Sequence, residues 1–133
     1  MDGQSRITRQ IKKYLENQVI TSISWDGALK IEFSCPSKSL LVCIENDYLF
    51  SAEGKECHLF QREGEAEKIR VLKNEACKAF FIKPDGSLEL GFAPGNSKII
   101  VNSHSDFEAW SIFSPEGLKV ICMPGGELAI WNE

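Results

Sequence analysis

Few side chains in this sequence could support nucleophilic catalysis. The chain contains 2 histidines, His58 and His104. Cys57 precedes His58 directly, but neighbouring residues of a strand point to opposite faces of a sheet, so adjacency does not indicate a cysteine–histidine dyad. His104 lies within Asn102–Ser105, a pattern typical of a loop. The sequence therefore predicts no catalytic residue, and we expect a protein that is not an enzyme.

Metal and disulfide chemistry are disfavoured by the spacing of the ligand-type residues. The 5 cysteines are odd in number and none forms a C-x-x-C pair. They are Cys35, Cys43, Cys57, Cys77 and Cys122. Cys43, Cys77 and Cys122 stand among apolar residues and are predicted to be small core residues with reduced thiols. We expect no bound metal and no cofactor, and a reducing compartment.

Glu108 and Glu127 could form an acid–base pair of the glycosidase type, but any domain with 19 carboxylates offers such a pair. A buried carboxylate that accepts hydrogen bonds from turn amides is a second interpretation, and an acidic contact to a cationic partner is a third. Pro124–Gly126 precedes a strand-like run rather than a helix. It therefore predicts a turn and not a phosphate-binding loop.

The three tryptophans have different surroundings. Trp110 and Trp131 lie in apolar segments and are predicted to complete the core, although a contact role stays open for both. Trp25 adjoins the turn at Asp26–Gly27, where exposure is expected. Tryptophan is enriched at the centres of interfaces, so Trp25 is a candidate contact residue.

The formal net charge of −4 is unevenly distributed. Cations dominate the first 14 residues, and acids dominate the last 28. The first segment holds Arg6, Arg9, Lys12 and Lys13 against Asp2, and the last holds Asp106, Glu108, Glu116, Glu127 and Glu133 against Lys119. An acidic surface repels nucleic acid and attracts basic protein surfaces, whereas a basic first helix is commonly a solvated face. We therefore expect no nucleic-acid partner; simple solvation of the acidic end remains the alternative.

The chain contains a degenerate internal repeat. Residues Asp26–Phe33 (DGALKIEF) correspond to Asp85–Phe92 (DGSLELGF), and Leu15–Asn17 corresponds to Leu72–Asn74. Each copy continues into a third apolar run. The repeat predicts two related units, residues 5–51 and 65–110.

The hydrophobic periodicity assigns elements to each unit. Residues 5–16 have helical spacing, with Ser5 as a cap and Asn17 as the end, and residues 65–73 are predicted as a second helix or a strand. Val19–Trp25 and the period-two residues that follow the two-residue turn Asp26–Gly27 predict a hairpin. The second copy repeats this pattern. Residues 52–68 predict a solvated connection or irregular hairpin that Leu59 and Phe60 pin to the core.

These elements predict one domain, residues 1–133, of the α+β class with strands dominating. Two pseudo-repeated helix-plus-strands units would form one curved antiparallel sheet or a barrel-like core, followed by a C-terminal meander over 111–133. No apolar run approaches the ~20 residues that span a bilayer, and the first residues lack the apolar core of a signal peptide. We expect a cytoplasmic monomer or weak dimer without membrane contact.

The C-terminal segments carry a family resemblance. Asp106–Trp110 (DFEAW) and Val120–Trp131 (VICMPGGELAIW) resemble a small bacterial family of domains of unknown function, whose members carry an E-A-W segment and a P-G-G-E-L-A-x-W strand. The resemblance implies no catalytic activity. Small acidic bacterial domains of this kind are candidate immunity proteins of toxin-competition systems such as contact-dependent growth inhibition.

The leading hypothesis is a non-catalytic immunity protein that occludes the basic active-site cleft of a cognate, nuclease-type toxin. Its predicted partner-binding residues are Trp25, Glu45, Asp47, Asp106 and Glu108. A small-ligand-binding or enzymatic β-domain with a pocket near Glu108 and His104 is the second hypothesis. A scaffold domain, marked by an exposed edge strand or apolar patch, is the third.

Overall fold

A computed structural model describes residues 3–15, 18–35, 38–60, 64–114 and 117–131. The predictions made for Asp2, Glu16, Asn17, Glu116 and Glu133, and for the side chains of Ser5 and Cys35, lie outside the part described. The helices are α1 (Gly3–Leu15) and a 3₁₀ helix (Glu65–Leu72). The strands are β1 (Val19–Trp25), β2 (Leu29–Cys35), β3 (Lys38–Ile44), β4 (Tyr48–Ala52), β5 (Lys55–Leu59), β6 (Ala76–Ile82), β7 (Leu88–Ala93), β8 (Lys98–Val101), β9 (Trp110–Phe113), β10 (Lys119–Cys122) and β11 (Leu128–Trp131).

In both helices, the residues that the helical period places on one side are buried. In α1 these are Ile7, Ile11 and Leu15, four residues apart, as the α-helical pattern predicted. In the second helix the buried residues Ala66, Ile69 and Leu72 are three residues apart. A period of three matches the 3.0 residues per turn of a 3₁₀ helix, which explains why the segment is neither a strand nor an α-helix.

The first hairpin turn is longer than predicted. Trp25 pairs with Leu29, so three residues form the loop rather than the two expected at Asp26–Gly27. The amide of Asp26 donates to the carbonyl of Ala28 at 3.1 Å, and Gly27 has a φ of 75°. Three-residue hairpin loops of this kind place a glycine in the left-handed region.

The strands form one antiparallel sheet of 11 strands in the order β11-β10-β9-β3-β2-β1-β6-β7-β8-β4-β5. The sheet does not close, so β11 and β5 are its edges and the barrel-like alternative is wrong. Strands β9, β10 and β11 pair in succession, as the meander prediction required.

The sheet divides naturally at the contact between β1 and β6. These strands are paired in register only at Val19 and Ala76, where the amide of Ile20 donates to Glu75 O and that of Cys77 to Gln18 O, both at 2.9 Å. We call β11-β10-β9-β3-β2-β1 the first half-sheet and β6-β7-β8-β4-β5 the second. Strand β4 leaves the first half-sheet to pair with β8, and β9 leaves the second to pair with β3.

Aromatic residues join the half-sheets. The rings of Phe33 on β2 and Phe92 on β7 are stacked with centroids 6.4 Å apart, and both side chains are fully buried. Trp110 is also fully buried, whereas Trp131 on edge strand β11 is 47% exposed, so the expectation that Trp131 completes the core is wrong. The cause is position, because a strand at the edge of a sheet lacks a neighbour on one side.

The segment 52–68, predicted as a solvated connection or irregular hairpin, begins with the second half of a regular hairpin and ends in the 3₁₀ helix. Strands β4 and β5 pair from Tyr48 and Leu59 to Ala52 and Lys55. Leu59 is buried as expected, but Phe60 is 42% exposed and stacks on His58 instead of the core, with ring centroids 5.2 Å apart.

Candidate interaction site at the crossover connections

Two short connections carry the chain from one half-sheet to the other. Residues 45–47 join β3 to β4, and residues 102–109 join β8 to β9. The amides of Glu45 and Asn46 both donate to the carbonyl of Ala109, at 2.8 and 3.0 Å. The side-chain amide of Asn46 donates to the carbonyl of Asn102 at 2.8 Å. The connections therefore lie side by side, and we call residues 45–47 and 102–109 the crossover site.

The crossover site contains the four acidic residues that were predicted from the sequence to bind a partner. Burial, followed by repulsion from the Glu108 carboxylate, raises the pKa of Glu45. The structure thus brings Glu45 and Glu108 close enough for their charges to interact, although they are far apart in sequence. Asp47 and Asp106 are on the same two connections. Like charges held together in this way favour binding of a cation.

His104 organises the longer connection. Its Nδ1 accepts a hydrogen bond from the amide of Asp106 at 2.9 Å, and its carbonyl accepts one from the amide of Gly125 at 2.8 Å. The imidazole stacks on Phe107, with centroids 3.7 Å apart. A ring held by both its nitrogen and its face is suited to shaping a loop, as the loop pattern around His104 predicted.

Two turns, one at Gly86 and one at Gly125–Gly126, lie next to the crossover site and support it. The indole Nε1 of Trp110 donates to the carbonyl of Gly86 at 2.8 Å, and the thiol of Cys122 lies 3.4 Å from the same oxygen. Gly126 lies against the backbone of Asp85 so closely that a Cβ on Gly126 would collide with the Asp85 carbonyl. Sequence reasoning assigned these glycines to turn geometry and missed their mutual packing. The paired signals D-G and P-G-G were the available clue.

Trp25 lies at the end of β1, in the first half-sheet, which also contains β3 and β9 beside the crossover site. Trp25 pairs with Leu29, Leu29 with Ile44, and Ile44 with Trp110, so one row of residues crosses four strands and ends at the crossover site. Adjacent strands are about 4.8 Å apart, which places the backbones of Trp25 and Ile44 about 10 Å apart. The Trp25 side chain is half-buried and packs against the core, so the expectation that it is exposed is wrong.

The other chemically active side chains are dispersed or buried. Cys57 and His58 are exposed on edge strand β5. Burial raises the pKa of the Cys43, Cys77 and Cys122 thiols, that of Cys77 to about 11, so these buried cysteines are not thiolates at neutral pH. Across the described ranges, no group of three or more His, Cys, Asp or Glu residues is arranged to hold a metal ion.

Two cavities lie at helix α1 and not at the crossover site. One of about 210 Å³ is lined by residues of α1 and β6, and the other is a shallow surface depression lined by α1 alone. Neither is lined by Glu108 or His104, the residues near which a ligand pocket was predicted.

The fold and site define a strand-dominated α+β domain with an acidic connection region. Its family is identified by a match over residues 11–132: the chain belongs to the family described as "Family of unknown function (DUF6188)". Membership in a family of unknown function agrees with the resemblance seen in the C-terminal segments. Comparison with curated proteins and with solved structures found no significant match. Neither helix in the described ranges has the length and apolar character needed to cross a bilayer.

Proposed function

We propose that this chain is a non-catalytic protein-binding domain that recognises a basic partner through the crossover site. The observation that carries the proposal is the pair of hydrogen bonds from the amides of Glu45 and Asn46 to the carbonyl of Ala109, which holds Glu45 beside the segment that carries Glu108. Two repelling carboxylates raise the free energy of the unbound protein, and a lysine or arginine of a partner placed between them relieves the repulsion.

The position of the site in the fold supports recognition of a preformed surface. The acidic residues lie on connections that are tied to each other by Asn46 and Ala109 and supported by the buried Trp110. Such connections have little freedom to lose when a partner binds, so less conformational entropy opposes association.

We further propose that the partner is a bacterial toxin and that the chain is its immunity protein. The small size and acidic charge that the chain shares with candidate immunity proteins motivate this assignment. A nuclease-type toxin has a basic substrate cleft, which the acidic residues Glu45, Asp47, Asp106 and Glu108 would cover, with Trp25 as an aromatic contact. The action would be occlusion in the cytoplasm, by a monomer or weak dimer.

The two halves of the domain are also proposed to derive from one repeated unit. Each half contains a helix followed by three strands, and the first strand has a β-bulge where it pairs with the second. The bulges occur between Ile20 and Ser22 in β1 and between Cys77 and Ala79 in β6. These positions have the same spacing from Leu15 and Leu72, which correspond in the sequence repeat. Duplication would explain why the acidic connections meet as a pair.

Capture of the partner tests the proposal. Tagged wild-type chain, the variant Glu45→Gln/Glu108→Gln and the control Glu53→Gln/Glu56→Gln are expressed in the native host, and bound proteins are identified by mass spectrometry. The control removes the same number of charges from the β4–β5 hairpin. We expect wild type and control to retain a basic protein and the crossover variant to retain about tenfold less, because a lost charge contact weakens binding.

Co-expression distinguishes a toxin from other basic partners. The captured protein is expressed in a laboratory strain with each of the three chains, and growth is measured. Rescue by wild type and control but not by Glu45→Gln/Glu108→Gln supports the immunity role. Recovery of no basic protein, or equal recovery by all three chains, refutes binding through the crossover site.

A further inference from the structure

The cavity between α1 and β6 combines cations with an apolar lining. Its volume is about 210 Å³, and its walls include Lys12 and Leu15 of α1 and Lys78 and Phe81 of β6. Phe81 is 46% exposed, an unusual degree for a phenylalanine within a strand. A concave site with a few polar groups on apolar walls is the common form of a small-molecule site.

A β-bulge places Lys78 at this cavity. In the pairing of β6 with β7, Cys77 is opposite Phe92 and Ala79 is opposite Gly91, so Lys78 is the extra residue. A bulge redirects a side chain that regular pairing would place elsewhere. In β1 the residue at the corresponding bulge is Thr21, whose hydroxyl donates to the carbonyl of Glu32 at 3.3 Å. The second half of the molecule alone therefore has a cation at this position.

Neither ammonium group at the cavity is neutralised by a carboxylate of the described residues. The Nζ of Lys12 lies over the Phe81 ring, 5.0 Å from its centroid, and the Nζ of Lys78 donates to the side-chain oxygen of Asn96 at 2.6 Å. A ring and an amide orient an ammonium without cancelling its charge. Two oriented, exposed cations at one cavity, neither paired with a carboxylate of the described residues, would suit an anionic ligand.

The surrounding helix face extends this positive region. The solvent-facing side of α1 carries Arg6, Arg9, Gln10 and Lys13, which line a shallow surface depression. Helix α1 carries no acidic residue between Gly3 and Leu15, although the whole chain has a net charge of −4. The apolar stripe of α1 is buried in the core, so α1 has no such stripe available to enter a lipid bilayer.

We propose that the cavity between α1 and β6 binds an organic phosphate. Lys12 and Lys78 hold the phosphate group, and the organic part packs against Ala79 and Phe81. Lysine is a point-charge donor suited to a tetrahedral oxyanion, whereas a planar carboxylate is matched better by the fork of arginine. The volume is smaller than the ~300 Å³ of common ligand pockets, so part of the ligand extends through the mouth.

The site binds rather than transforms its ligand. Cys77 lines the cavity, but burial raises the pKa of its thiol to about 11, which keeps this nucleophile protonated at neutral pH. This inference is independent of the crossover site, because the two regions share no residue.

Calorimetric titration with adenosine 5′-monophosphate, inorganic phosphate and adenosine tests the proposal. We expect the monophosphate to bind most tightly and adenosine to give no measurable heat. Lys12→Met and Lys78→Met each keep the apolar stem and should weaken monophosphate binding at least about tenfold. Phe81→Ala should weaken binding of the monophosphate but not of inorganic phosphate.

The control is Lys55→Met, which removes a charge from exposed edge strand β5 and should change the affinity less than about twofold, since distant exposed charges are screened by salt. Circular dichroism verifies that each variant is folded. Absence of monophosphate binding to wild type, equal weakening by Lys55→Met and Lys78→Met, or equal affinity for the monophosphate and inorganic phosphate overturns the proposal.

Discussion

The raised pKa of Glu45 reflects the way in which the two connections of the crossover site are held together. The backbone amide of Glu45 is fixed to Ala109, so the chain holds its carboxyl near Glu108 irrespective of the repulsion. The raised pKa of Glu45 is therefore a property of the two connections and not of the local sequence.

Replacing Glu45 by glutamine should stabilise the fold at neutral pH. The pKa of Glu45 is higher in the folded protein than its ordinary value of 4.5, so the folded state binds more protons than the unfolded state between these two values. Wild-type stability therefore falls as pH rises through that interval, and the loss persists above it. Glutamine cannot ionise, so the Glu45→Gln variant avoids this loss.

Urea unfolding of wild type and variant from about pH 3 to about pH 8 measures this difference. We expect nearly equal stabilities at the acid end and a more stable variant at neutral pH. In a Glu108→Gln background the gain should shrink, because one of its two causes is removed, while the larger cause, burial, remains. A variant that is less stable than wild type at pH 7, or a gain of the same size in both backgrounds, would contradict the assignment.

For individual helices and turns, sequence patterns predicted the features that depend on residues close together in the chain. Helical spacing predicted α1, and Asp26–Gly27 and Asp85–Gly86 both lie in the connections between paired strands. Strand β4 was overlooked because Tyr48 and Phe50 follow β3 after only three residues, without a strong turn signal. The three-residue period of Ala66, Ile69 and Leu72 was present in the sequence and could have identified the 3₁₀ helix.

The same sequence patterns do not predict the order of the strands in the sheet. Trp110 and Trp131 both lie in apolar strand patterns, yet β9 lies between two strands and β11 lies at an edge. Which strand becomes an edge depends on pairing between distant segments, such as β9 with β3. The acidic residues of the crossover site were nominated by their charge, but their proximity follows from this non-local pairing and was not predictable from spacing.

The turn between β10 and β11 provides a prediction with a matched control. Gly125 and Gly126 have φ values of 90° and 93°, so alanine is strained at either position, by about 1–2 kcal/mol. A Cβ on Gly125 meets nothing within 4 Å, whereas one on Gly126 collides with the backbone of Asp85. Gly126→Ala should therefore cost about 1–3 kcal/mol more than Gly125→Ala, the typical penalty of overpacking.

Chemical denaturation of the two alanine variants gives the difference in the free energy of unfolding. Because backbone strain is common to both, the comparison isolates the contact between the two turns. Equal destabilisation would show that the turns are not in contact in solution. The supporting role of these turns behind the crossover site would then be incorrect.

Across the whole molecule, the exchange of strands makes the half-sheets interdependent. Strand β4 belongs by sequence to the first half but completes the second half-sheet, and β9 does the reverse. The first half-sheet is therefore formed by two separate parts of the chain, β1–β3 and β9–β11, whereas the second is formed by the intervening strands β4–β8. The exchange also sets the distribution of charge, because it brings the acidic connections together while the basic helix α1 packs chiefly against β6.

Interdependence of the half-sheets can be measured at Phe33 and Phe92. Their rings stack near the β1–β6 pairing, and each belongs to a different half-sheet. Replacing either by leucine should destabilise the protein, and the double variant should lose less than the sum of the single losses. The expected coupling energy is about 0.5–1.5 kcal/mol, the usual value of an aromatic pair beyond its buried area.

The control cycle combines Phe33→Leu with Leu59→Ala, because Leu59 is equally buried but lies on β5, at the far edge of the second half-sheet. Sites without a shared contact should add within about 0.5 kcal/mol. Additivity in the Phe33–Phe92 cycle would mean that the rings do not hold the half-sheets together. Two separate unfolding transitions in the double variant would go further, since they require the two half-sheets to unfold independently of each other.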